Sequence, residues 1–224
     1  MFLERVCLIS AAVFVAVSAA PKRVTRSTVP TWHVPCGEDY DVEVASWEVL
    51  EEETMNSLES LRLQHQLLMG DYLSRDYNYL YERVDFSVKK KQYIPNWLPD
   101  KKDVDLVKRL ANASPQTIVN HFPKLHTDLQ KFAVAFEQLV KDEDDVRKWE
   151  ALRGTQTYLN SMLCEVESNI LALPSLRLPT RVQRSIMSER ERILPDETNR
   201  LVRDWGVILK YQDYLHAWRH VFNY

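Results

Sequence analysis

The sequence predicts an all-α fold: a long-chain four-helix bundle with up-up-down-down topology and two long crossover connections. Three observations carry this. Glycine is scarce, 4 in 224 residues, whereas a strand-rich domain of this size needs many more at its turns. Prolines fall at 21, 30, 35, 95, 99, 115, 123, 174, 179 and 195; each removes a helix donor and clashes with the preceding turn, so the long windows without them are free to be helical, and all of them show helical apolar spacing. The joining segments then run long, short, long. A very short turn makes neighbouring helices antiparallel, and a long connection lets the chain travel the bundle and start the next helix parallel to the last. With 45% hydrophobic and 27% charged residues, the chain supports one well-buried domain, placed at 44–224.

The first residues read as a secretory signal peptide, 1–19: Arg5 precedes an apolar run, Val6 to Val17, which ends in small residues. The run is short for a membrane span, although a retained anchor is the alternative. A secreted, extracellular protein with no membrane insertion is expected. A tail, 20–43, follows, and its Arg23-Val-Thr-Arg26 is either a processing site or a solvated basic stretch. Loss of Cys7 with the signal leaves Cys36 and Cys164. An even pair in an oxidising compartment suggests one disulfide, with two free thiols or a bridge between chains as alternatives.

Helix A is expected at about 44–80, with Leu50, Leu58, Leu61, His65, Leu68 and Tyr72 on one face. Gly70 marks a bend or an end, and His65 reads as a hydrogen-bonded core histidine rather than a ligand. A long connection follows, with a short helix at 101–111 and a glycosylation sequon at Asn112-Ala-Ser114. Ser114-Pro115 is a cap-then-proline start for helix B, 115–141, and Pro123 offers a second start or a kink. Its inward residues are Leu125, Leu129, Phe132, Phe136 and Leu139. The short acidic turn at 142–145 leads into helix C, 146–173, carrying Trp149, Leu152, Leu159, Leu163, Val166 and Ile170. After a basic, proline-marked connection comes helix D, 195–222, with Leu201, Trp205, Ile208, Leu215 and Phe222 as its stripe, widened by Leu209 and Trp218. The aromatics Trp205, Tyr211, Tyr214, Trp218, Phe222 and Tyr224 are too many for one seam, so some are expected to face outward as a binding surface.

No catalytic constellation emerges, and no enzyme activity or cofactor is expected. His216 and His220 stand four apart on helix D but lack the glutamate of a zinc-protease pair and any third ligand, so no metal is assigned. A Gly-rich phosphate loop, a nucleophile elbow and a CxxC motif are absent from the sequence. Net charge of -3 offers no broad field for nucleic acid, with Lys89 to Lys91 a local exception.

Two stretches carry a family resemblance. On helix A, the run from Leu61 to Leu73, with His65-Gln66-Leu67 and Tyr72-Leu73, resembles the corresponding segment of cardiotrophin-like cytokine and ciliary neurotrophic factor. On helix D, Trp205-Gly206 and the residues to Lys210 resemble ciliary neurotrophic factor, and Leu209-Lys210-Tyr211 resembles leukaemia inhibitory factor. These matches span about a quarter of the mature chain. The resemblance implies an interleukin-6-type cytokine, a monomer before binding, that brings together cell-surface receptors of the glycoprotein-130 class and activates Janus kinases and STAT factors. It also implies two contact regions. One uses exposed faces of helices A and C, where Arg62, Gln66, Asp71, Arg153 and Asn160 lie outside the core stripes; the other uses the start of helix D, with Arg200, Arg203 and Trp205. In the leukaemia inhibitory factor branch a Phe and a Lys stand where this chain has Arg200 and Arg203, so the cation is kept and the aromatic is lost. Arg203 is expected at the surface, and Trp205 is either a contact or a core residue. The competing class is a secreted helical carrier holding a lipid or other small apolar ligand between its helices.

Overall fold

The structure, a computed structural model, describes residues 29–37, 50–84 and 94–224. The expected signal peptide, most of the tail including Arg23 to Arg26, the expected start of helix A before Leu50, and Lys89 to Lys91 lie outside the described residues. Among those described, every regular element is helical: α1 (Leu50–Leu73), α2 (Tyr77–Leu80), α3 (Lys101–Arg109), α4 (Pro115–Val119), α5 (Phe122–Asp142), α6 (Val146–Ala172), α7 (Glu189–Arg192) and α8 (Glu197–Phe222).

Local chemistry sets most boundaries. Carboxylate and hydroxyl side chains accept the free N–H groups of the first turn at Asp76, Asp100, Ser114, Asp145 and Asp196. At α3 the arrangement is reciprocal, since the Asp103 carboxylate accepts from the Asp100 N–H at 3.0 Å. Helix α8 ends at Asn223, whose left-handed φ of 54° lets its N–H reach back to the Arg219 carbonyl at 3.0 Å. Pro123 settles as a start, because α4 stops at Val119 and α5 begins afresh at Phe122. The first helix does not run to 80. It passes through Gly70 and ends at Leu73, and α2 restarts from the Asp76 cap.

The four long helices pack through specific pairs. Ser60 of α1 meets Asn169 of α6 at 3.1 Å, while just past α1 the Tyr77 hydroxyl of α2 donates to the Ala151 carbonyl at 3.0 Å, so the α1–α2 stretch and α6 run in opposite senses. Along α8 the same helix meets Phe222 at His65 and Tyr211 at Tyr72, again antiparallel. From α5, Asp128 accepts from the Tyr214 hydroxyl at 3.0 Å and Phe136 packs on Tyr211, so this pair is antiparallel too. The turn 143–145 reverses the chain between α5 and α6, and the Glu143 carboxylate accepts the N–H groups of Asp144 and Asp145 at 3.1 and 2.9 Å.

Helix α8 is the hub. It touches α1, α5 and α3, and from Val202 to Ile208 every residue is buried. This corrects the expectation that some of its aromatics face outward: Trp205, Tyr211, Tyr214, Trp218 and Phe222 are all buried and only Tyr224 is partly exposed. With neighbours on three sides the helix keeps only a narrow outward strip, and polar residues such as Asp213 and His220 occupy it. Trp149 departs in the other direction, 42% exposed at the start of α6 where an inward residue was expected. The core residues expected on α5, from Leu125 to Leu139, are all buried.

The segment at 29–37 and the connection between α6 and α8 brace one another. Trp32 is fully buried and donates to the Val182 carbonyl at 2.8 Å, and Cys36 is bonded to Cys164 of α6. The connection is held to α5 and α6 by Arg181 on Glu167 at 2.5 Å, by Gln130 accepting the Val182 N–H at 3.0 Å, and by Arg184 on Glu137 at 2.7 Å.

Candidate functional site

The residues expected to form one face of the first and third long helices do not lie together. Arg62 is ion-paired to Glu59 one turn away and sits within electrostatic reach of Tyr224, towards the end of α8. Gln66 is half-buried one turn further along. Asp71 instead faces α6 through Arg75, which it binds at 2.6 and 3.0 Å. The Arg75 guanidinium lies against Gly154 of α6, where a Cβ would fall 2.0 Å from a guanidinium nitrogen, and Tyr158 one turn on is within its electrostatic reach. Arg153 and Asn160 line a shallow depression of about 420 Å³ with Thr31, Pro35 and the Cys36–Cys164 bridge, on the side of α6 that carries the N-terminal segment.

Two leucines of α1 that were not among the expected contacts are exposed. Leu63 and Leu67 are 49% and 61% exposed, and they continue the line of Asp71 and Arg75 at four-residue spacing along α1. Tyr158, 37% exposed on α6, lies within electrostatic reach of Arg75 from the other helix. The signal was present in the sequence: leucines four apart that fall off the buried stripe of an amphipathic helix are unexplained by packing.

At the start of α8 the expected contacts are inside the protein. Arg203, expected at the surface, is 0% exposed. Its guanidinium binds Asp142 at 2.9 Å and Asp204 at 2.6 Å and donates to the Glu191 carbonyl at 3.1 Å. A desolvated cation is tolerable only with this many acceptors. Trp205 is 4% exposed and stacks on Tyr81, which fixes it as a core residue. Arg200 is partly buried, donating to the Asp142 carbonyl with Glu143 at 3.9 Å. Among exposed charged residues such as Asp144, Arg147, Glu150 and Glu197, this end of the molecule also exposes four large apolar side chains, Tyr79, Val146, Trp149 and Ile193, at 62%, 68%, 42% and 70%. Beside Ile193, Arg192, Asp196 and Arg200 line an open depression of about 650 Å³.

The remaining expected sites are placed as follows. Asn112 is exposed in the turn after α3, and Ser114 of its sequon is the cap of α4. His65 is buried, hydrogen-bonded through Nδ1 to the Tyr224 hydroxyl; burial drives its pKa down to about 3 and that of Tyr224 up to about 12. Glu167 is pushed up by burial, but hydrogen bonds from Arg181 and His126 outweigh this and hold it down at about 2. His216 and His220 line a cleft of about 690 Å³ between α3 and α8, with Ile94, Val104, Gly206 and Leu209. Among the described residues no group of three or more histidine, cysteine or acidic side chains is arranged to hold a metal, and no helix is long and apolar enough to cross a membrane. No protein-family model, curated protein or solved structure matches this chain.

Proposed function

We propose that this chain is a secreted interleukin-6-type cytokine that brings together receptors of the glycoprotein-130 class and activates Janus kinase and STAT signalling. In this reading its helices form an up-up-down-down bundle, with α1 and α5 pointing one way, α6 and α8 the other, and the two long connections as crossovers. The antiparallel pairs of α1 with α6 and α8, and of α5 with α6 and α8, support that arrangement.

The observation that carries the reading is the exposure of Leu63 and Leu67 on α1 and of Tyr158 on α6, the two helices that the Asp71–Arg75 pair joins at Gly154. Exposed apolar side chains on two packed helices beside a charged pair are the kind of surface feature that marks a protein-binding site. The resemblance places a receptor on the faces of the first and third long helices, and here those are α1 and α6. The second contact moves from Arg203 and Trp205, which are buried, to the exposed residues of the same end: Tyr79, Val146, Trp149 and Ile193.

The test is STAT phosphorylation in cells bearing candidate receptors, with the wild-type protein and a Leu63→Glu/Leu67→Glu variant. Exposed positions tolerate the change, so the variant should secrete and melt normally yet lose activity. Full potency in the variant would remove this face from receptor binding, and no response to the wild type on any such receptor would remove the cytokine reading. The carrier reading would look to the cleft between α3 and α8, where Ile94, Val104 and Leu209 stand among mostly polar lining residues that include Asp100, Lys101, Lys108 and Asp213. Native mass spectrometry of the secreted protein showing a stoichiometric bound lipid would support it.

A further inference from the structure

The junction where α5 ends and α8 begins holds more buried acid than base. Asp142, Glu143 and Asp204 stand against two guanidiniums, Arg200 and Arg203. Lys148 of α6 lies 5.7 Å over the ring of Tyr81, whose buried hydroxyl is within electrostatic reach of Asp204 and Glu143. From α7 the groups facing the junction are the Glu191 and Arg192 carbonyls, which accept from Arg203; the Glu191 side chain is turned to Trp97 and that of Arg192 to Gln138. Glu143, Asp204 and Arg203 are shut off from water, while Asp142 and Arg200 keep a fifth or less of their side chains in it, with Arg200 also 3.8 Å from exposed Glu197. The inner three groups carry one surplus negative charge, and balance is restored if one carboxyl carries a proton.

The hydrogen bonds say which carboxyl that is. Asp142 keeps 19% of its side chain in solvent and accepts from both Arg203 and Gln138. Glu143, like Asp204, is buried with one oxygen, Oε2, lacking a hydrogen bond, but that oxygen stands 3.9 Å from Arg200 and Oε1 accepts two backbone N–H groups, which favours the ionised form. Asp204 has neither advantage. Its side chain is 0% exposed, Oδ1 is bound only by Arg203, and Oδ2 is buried with no hydrogen-bond partner.

We propose that Asp204 Oδ2 is a proton-binding site: the folded protein carries a proton there at pH values where an ordinary carboxyl is ionised, and acidification tightens the docking of the first turns of α8. Protonated, Oδ2 becomes a donor, Asp142 and Glu143 balance the two arginines, and Oδ1 still accepts from Arg203. Ionised, it places a surplus charge beside Asp142. Burial, partly offset by Arg203 and Arg200 and reinforced by Asp142, pushes this carboxyl up to about 7 from its ordinary 3.8. Because the folded state binds the proton more tightly than the unfolded chain, stability from this group is full below pH 3.8, falls as pH rises, and is lost above about 7.

The test is a carbon-detected NMR titration of aspartate carboxyls in the full secreted protein, with sequential assignment, together with urea unfolding across the same pH range. The Asp204 carboxyl should titrate near pH 7. In Asp204→Asn that titration should vanish, and the fall in stability between about pH 4 and 7 should flatten. An Asp204 midpoint below pH 5 would overturn the proposal. So would a folded Asp204→Asn protein that keeps the wild-type pH dependence. If Asp204→Asn does not fold, the wild-type titration alone decides.

Discussion

Arg203 of α8 reaches across to Asp142 of α5 at 2.9 Å with none of its side chain in solvent. The pair closes the end of the molecule where the last helix enters, and its energetics differ from those of a surface contact. Removing one partner strands the other charges in a desolvated place, which costs about 3–5 kcal/mol. Arg203→Ala should therefore lower the urea midpoint sharply, and Arg203→Glu should fail to secrete in quantity. Trp205→Ala, which removes the ring stacked on Tyr81, should cost about 3–5 kcal/mol as well. Wild-type unfolding curves in both alanine variants would mean that neither side chain is buried as described.

The Cys36–Cys164 bridge spans 128 residues of sequence and anchors the segment that carries Trp32. Cross-links of this kind stabilise mainly by restricting the unfolded chain, and losing one from a secreted domain costs about 2–5 kcal/mol. The Cys36→Ser/Cys164→Ser variant should melt lower by a margin of that size. It should nonetheless keep its helical circular dichroism, because α1, α5, α6 and α8 pack on one another without the bridge. Equal stability of the variant and the oxidised protein would show that the bridge contributes nothing to the folded state's advantage.

Local pattern made much of this legible in the sequence. The α5 stripe, from Leu125 to Leu139, follows from helical period, and the Ser114-Pro115 start follows from cap chemistry. Burial on α8 does not, because how many neighbours a helix has is a tertiary property: Tyr211 and Tyr214 are buried on the sides turned to α1 and α5. Nor does Arg203, whose partner Asp142 lies 61 residues away and reads in the sequence as an ordinary turn acid. Of the proposed surface, Leu63 and Leu67 were readable as leucines off the stripe. The Arg75–Gly154 contact that joins α1 to α6 beside them was not, since glycine in a helix gives no sign of what fills its missing side chain.

Acid should act on the molecule through Glu167. Held at about 2 by Arg181 and His126 against an ordinary 4.5, this carboxylate contributes stability that is fully present above pH 4.5 and lost as pH falls through about 2. Each pH unit of such a shift corresponds to about 1.4 kcal/mol, so the contribution is on the order of 3 kcal/mol at most. Glu167→Gln should destabilise the protein at pH 6, and the gap to wild type should shrink steadily in unfolding experiments carried down to pH 2. A gap that stayed constant over that range would show that the ionised Glu167 is not what holds the connection to α6.

Two helical glycines should respond oppositely to the same substitution. At Gly70 of α1 a Cβ would meet nothing within 4 Å, so Gly70→Ala gains helix propensity without a clash and should stabilise by about 0.5–1 kcal/mol. At Gly206 of α8 the Cβ would fall 2.4 and 2.5 Å from Cγ1 and Cδ1 of Ile94, a branched side chain packed against the core. Overpacking of this kind costs about 1–3 kcal/mol, which offsets or exceeds the propensity gain, so Gly206→Ala should be neutral or destabilising by up to about 2 kcal/mol. Paired urea unfolding of the two variants measures the difference directly. A Gly206→Ala protein stabilised as much as Gly70→Ala would show that Ile94 yields freely, and that the close approach of its segment to α8 is not what requires glycine there.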